Sequence, residues 1–94
     1  MKIVSKKIRN SARGEDCTLR VSPNCGNNET TILAHFNSNF RGMGLKSPDL
    51  FTCYCCAECH VLLDSSKVDF EDQQRANQET LMKLYAKDLI KVAS

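Results

Sequence analysis

The sequence predicts a small α+β domain closed around a structural metal ion. Three observations carry that expectation. Six cysteines fall in 94 residues, among them the CxxC Cys56-Ala57-Glu58-Cys59. Two short runs of strand-forming residues flank a long glycine-bearing loop, and an apolar stripe at helical spacing lies near the C-terminus. A chain of this length makes one domain, residues 1–94, with a modest core that is often stapled by a metal or by disulfides. Aromatic residues are only 6% and Trp is absent, which makes a staple more necessary. The start, MKIVSKKIRN, holds no apolar run of signal-peptide length, and no stretch approaches a transmembrane span. That points to the cytoplasm, where thiols stay reduced and clustered cysteines read as metal ligands.

Taken in order, residues 3–13 read as a short helix stopped by Gly14. Residues 17–25 read as extended, with turns at Ser22-Pro23-Asn24 and Gly26-Asn27-Asn28. Residues 30–36, TTILAHF, form the best strand. Residues 37–49 are a polar loop, and residues 50–54 a second strand. Residues 56–65 should turn tightly into a helix. Asp69 is placed to cap a last helix over about 70–92, whose Leu81, Leu84, Tyr85, Leu89 and Val92 give it one face to bury in the core.

The CxxC lets Cys56 and Cys59 point at one ion while backbone N–H groups of the turn bond their sulfurs. Zinc takes four ligands in a tetrahedron, and closed all-thiolate sites are structural. Cys17 and Cys25, separated by seven residues, are the second pair. Cys53 competes, because Cys53-x2-Cys56 is also a CxxC. Cys53 and Cys55 share one face of the second strand, however, where a packing role suits them. A structural zinc can supply roughly 10–16 kcal/mol, against ~5–15 kcal/mol for the whole stability of a typical domain.

Both histidines sit at informative places. His60 follows the CxxC directly, and Asp64 lies one helical turn further on, so the two share a face. An imidazole and a carboxylate so placed can hold a divalent cation. His35 ends the first strand, from which it could approach that cation as a general base. His60 as a zinc ligand in place of a cysteine, His35 as a half-buried histidine and Asp64 as a surface carboxylate are the plainer alternatives. Net charge is +2. Residues 1–50 carry eight basic and four acidic side chains, and residues 51–94 five and seven. The basic half could meet phosphates, or be an ordinary solvated surface. Arg41 and Lys46, in the loop between the strands, are candidate phosphate contacts.

The order of cysteine pair, strand ending in histidine, loop, strand and CxxCH opening a helix resembles the HNH nucleases, the zinc-stapled branch of the ββα-metal fold. Cys17 and Cys25-Gly26 match the first pair, Leu33-Ala34-His35 the strand end, Asp49-Leu50 the Asn-Leu element, and Cys56-Ala57-Glu58-Cys59-His60 the helix start. The match covers about residues 13–65. More closely, the chain is similar to a family of small lambdoid-prophage proteins regarded as nuclease candidates. That likeness rests on Ala12-Arg13-Gly14-Glu15-Asp16-Cys17, Pro23-Asn24-Cys25, Glu29-Thr30-Thr31, Pro48-Asp49-Leu50 and the two histidine motifs.

The resemblance implies a metal-dependent endonuclease that hydrolyses phosphodiester bonds of DNA. His35 would be its general base and Asp49 would orient that base. Structural zinc would sit on Cys17, Cys25, Cys56 and Cys59. His60 and Asp64 would hold Mg²⁺ or another divalent catalytic metal. Two positions depart from the pattern. Ala34 stands where the family has an Asp or His metal ligand, and Asp49 stands where it has Asn. The alternative is therefore a catalytically inactive zinc module that binds nucleic acid or protein, or a zinc protein with incidental histidines. The C-terminal helix could also serve a homodimer.

Overall fold

A computed structural model describes residues 6–36 and 50–90. Within them the order is α1 (Lys6–Asn10), a 3-10 turn (Asn28–Thr30), β1 (Ile32–His35), β2 (Thr52–Cys55), α2 (Ala57–Asp64) and α3 (Phe70–Ala86). This is the expected α+β arrangement, with β1, β2 and α2 in succession and a further helix after them.

β1 and β2 pair antiparallel, setting Leu33 opposite Tyr54 and His35 opposite Thr52. Phe36 N–H extends the ladder to the Phe51 carbonyl at 2.9 Å. Alternation along the strands sends side chains to two faces, and both faces are covered. Ala34, Cys53 and Cys55 join Cys17, Leu19, Phe36, Val68 and Ala76 on one side. Leu33 and Tyr54 meet Ile8, Ala12 and Leu84 on the other. The one-turn spacing of Ile8 and Ala12 lets α1 and the turn after it seal that second face. Tyr54 is fully buried, and its hydroxyl meets Ser11 Oγ at 2.7 Å.

The outer edge of β2 would expose unpaired backbone groups, which is a liability in a two-stranded sheet. Here α3 and the chain around Thr18 satisfy them. Thr18 N–H and Thr18 Oγ1 both donate to the Tyr54 carbonyl, at 2.8 and 3.1 Å. Tyr54 N–H donates to Thr80 Oγ1 at 3.2 Å, and the two threonine hydroxyls lie 2.9 Å apart. One consistent set of protons runs from Tyr54 N–H through Thr80 and Thr18 back to the Tyr54 carbonyl. Asn77 Nδ2 donates to the carbonyls of Leu50 and Thr52. Arg75 donates to those of Thr18 and Leu19.

Several boundaries differ from expectation. α3 ends at Ala86, not near residue 92. Asp88 takes φ 60°, its N–H bonds the Tyr85 carbonyl, and Leu89 N–H bonds the Leu84 carbonyl. This is a Schellman cap, here with Asp rather than Gly at the left-handed position. The cap turns Leu89 and Ile90 back onto the cluster of Leu84, which partly buries them without a longer helix. α2 ends in the same way, with Ser66 at φ 57° and Lys67 N–H bonded to the Leu62 carbonyl. The buried face of α3 is Ala76, Thr80 and Leu84. Tyr85, expected in the stripe, is 52% exposed, because polar docking to the β2 edge rotates the helix off that stripe. β1 starts at Ile32 because residues 28–30 form the 3-10 turn, which Asn27 caps through Glu29 N–H.

Candidate functional site

The four sulfurs of Cys17, Cys25, Cys56 and Cys59 lie within 4.8 Å of one another and could hold a metal ion. Each half comes from a tight local structure. Cys56 is the extended residue that caps α2, and Cys59 sits in the first turn of that helix. Ala57 N–H donates to Thr30 Oγ1 at 3.0 Å, tying the helix start to the 3-10 turn. Cys25 N–H closes a turn onto the Ser22 carbonyl at 3.1 Å. Gly26 then leaves at φ 132°, a conformation open to glycine and little else. All six cysteines are free thiols.

The thiols do not share one proton affinity. The Cys55 thiol beside Cys17 holds Cys17 down to about 4, whereas burial pushes Cys25 and Cys56 up. Cys55 is pushed up chiefly by Cys17. Without a cation a crowded group of sulfurs supports few thiolates, and a cation removes that restriction. Cys53 and Cys55 are fully buried on the sheet face that packs beside this group, outside the set of four. Ala34 faces the same cluster and is 2% exposed.

His60 is not part of the cysteine group. Its Nε2 lies 3.5 Å from Asp64 Oδ1, one turn along α2. Asp64 and His35 line a single cleft of about 270 Å³ together with Leu63, Ser66, Val68 and Gln73. His60 is absent from that lining and meets the cleft through Asp64. The chain therefore brings His35 from the end of β1 to the C-terminal end of α2. Asp49, Arg41 and Lys46 lie outside the described residues.

On the other side of His35 a second cleft, of about 410 Å³, opens between α1 and β1. Arg9, Asn10, Arg13, Thr31, Ile32 and Leu33 line it with His35. Apart from His35, the sequence pointed to no site residue in this cleft. Its signal was present in the one-turn spacing of Arg9 and Arg13 beside the buried pair Ile8 and Ala12, in a stretch, residues 6–14, without an acidic residue. No sequence signal pointed to Ser66 or Gln73 in the first cleft, because a loop–helix junction delivers them.

Three comparisons bear on the chain. The family model described as "Putative nuclease YbcO" matches residues 6–90. Proteins named putative nuclease YbcO from Escherichia coli strain K12 and from Enterobacteria phage 82 are each 41% identical over 59 residues, covering 61% of this chain and 62% of the relative. The match thus spans under two thirds of those curated relatives' length. A solved structure of "a putative bacteriophage protein" from Escherichia coli str. K-12 substr. MG1655 is similar at a TM-score of 0.68 and 29% identity, covering 87% of this chain and 100% of that one.

Proposed function

Because the chain belongs to the "Putative nuclease YbcO" family, we propose that it is a metal-dependent endonuclease hydrolysing DNA phosphodiester bonds in the cytoplasm. The observation that carries this reading is one cleft lined by both His35 and Asp64, with His60 3.5 Å from that carboxylate. Two ligand atoms each about 2.1 Å from one ion lie about 3.0–3.4 Å apart, so the pair needs little adjustment to share a cation. When bound, Mg²⁺ or a transition metal there would offset phosphate charge and stabilise the leaving 3′ oxygen. His35 is the general base, whose neutral imidazole takes a proton from a water in line with the scissile bond. Asp49 orients that base, and Arg41 and Lys46 contact phosphates.

Cys17, Cys25, Cys56 and Cys59 hold structural zinc in this reading. Zinc–sulfur bonds of ~2.3 Å in a tetrahedron put sulfurs about 3.8 Å apart. The sulfurs of Cys56 and Cys25 are 3.9 Å apart. Four thiolates leave no open position, so this ion does no chemistry. A homodimer would use the outer side of α3, where Met82 and Tyr85 are 67% and 52% exposed. The second reading, a non-catalytic zinc module for nucleic acid or protein, is favoured by Ala34 alone, where the HNH pattern has a metal ligand.

The test is nicking of supercoiled plasmid. Wild-type protein should nick only with added divalent metal. His35→Ala should lower the rate by about 10²–10⁴ with fold and DNA binding intact. His60→Ala should be rescued in part by more metal, because it removes a ligand rather than the base. If wild type is inert with Mg²⁺, Mn²⁺, Ni²⁺ and Zn²⁺ on single-stranded, duplex and branched DNA, the binding-module reading replaces this one.

A further inference from the structure

The cleft between α1 and β1 is not used by the chemistry above, yet it shares a wall with it. His35 lines both that cleft and the one holding Asp64. Arg9 and Arg13 are one turn apart, and their neighbours Ile8 and Ala12 are buried against Leu33, Tyr54 and Leu84, which fixes the direction of the arginine-bearing side. Arg13 is exposed at the rim, and Arg9 is half-buried. Thr31 is 3% exposed, and its hydroxyl has no hydrogen-bond partner among the described residues. A buried hydroxyl in this state calls for a partner beyond the described residues. Asn10 adds an amide donor to the same lining. Among the described residues no acidic side chain lines the cleft.

Two guanidiniums and an amide around an open cleft, with an unpartnered hydroxyl buried in its wall, are the chemistry of a phosphate. We propose that this cleft seats a backbone phosphate of the bound nucleic-acid strand, next to the phosphate presented to His35. The inference rests on the nuclease reading only for the adjacency. The phosphate subsite itself stands on Arg9, Arg13 and Thr31. A strand seated this way runs from the arginine cleft across His35 to Asp64, so the subsite sets which phosphodiester reaches the base.

The experiment is binding of a fluorescent duplex, read by anisotropy without added divalent metal across a salt series. Arg9→Gln with Arg13→Gln should weaken binding about tenfold or more at low salt, since charge-assisted contacts are lost. It should also reduce the log–log salt slope by about one, the share of one phosphate. Arg13→Gln alone alters an exposed side chain and leaves folding to the rest, so it guards against a double variant that fails to fold, and should show the same trend. Lys83→Gln removes the same charge from α3, at a residue that does not line the cleft, and should change neither reading appreciably. Equal losses for Arg13→Gln and Lys83→Gln, or an unchanged slope in a folded Arg13→Gln variant, overturn the subsite. Binding losses at the arginines with no cleavage by wild type would support the subsite while removing the nuclease reading. Persistent His35-dependent nicking without those losses would do the reverse.

Discussion

Thr80→Val removes one hydroxyl from the hydrogen-bond circuit at the outer edge of β2 while keeping the side chain's shape. Thr80 is fully buried, and its Oγ1 accepts from Tyr54 N–H. Losing that acceptor leaves a buried donor orphaned, at about 1–3 kcal/mol, and losing the bond to Thr18 adds about 0.5–1.5 kcal/mol. Water has no ready route in, because Thr18, Thr52 and Tyr54 around it are also fully buried. The sum is about 2–4 kcal/mol, a sizeable part of the ~5–15 kcal/mol available to a domain. Thr80→Ser keeps the hydroxyl and gives up one methyl, about 0.8 kcal/mol. Urea unfolding followed by circular dichroism, at one fixed zinc concentration because a bound metal itself stabilises, should rank wild type above Ser above Val. With a slope of about 1–3 kcal/mol/M, the Val variant should unfold roughly 1–3 M earlier. A Val variant as stable as the Ser variant would show that the circuit contributes nothing and that apolar packing alone docks α3.

Other outcomes follow from the same geometry. Protein purified without added metal should carry one zinc per chain, and Cys56→Ser or Cys17→Ser should lose both metal and fold. Cys53→Ala should keep the zinc and lose only the ~1 kcal/mol scale of a small cavity. Elemental analysis and thermal melts separate these, and a Cys53→Ala protein without metal would reassign the ligands. Ala34→Asp places a carboxylate at a 2% exposed position among cysteines. It should lower the melting temperature without added metal, because an unpaired buried charge is costly. Mn²⁺ should restore stability to this variant more than to wild type if the carboxylate reaches the His60–Asp64 cation, and equal responses would refute that.

Much of this molecule could be read from local pattern. The CxxC, the strand ending in His35 and the one-turn spacing of His60 and Asp64 are short-range features, set by helix and turn geometry over a few residues. That is why β1, β2 and α2 appear close to where residue type and spacing put them. The pairing of Cys17 with Cys25 could be read only as a possibility, since their seven-residue separation follows no knuckle rule. Bringing them to Cys56 and Cys59 depends on the 3-10 turn and on Thr30 holding the start of α2. Tertiary structure alone decided how α3 docks. Its apolar stripe pointed to Tyr85, but the unsatisfied edge of β2 recruited Thr80, Asn77 and Arg75, and a Schellman cap stopped the helix at Ala86. The arginine cleft belongs to the same class. Arg9 and Arg13 are near neighbours in sequence, but Thr31 and His35 join them only because Ile8 and Ala12 seat α1 against β1. Backbone hydrogen-bond demand at a sheet edge and burial of one short helix are long-range effects, and no window of residues encodes them.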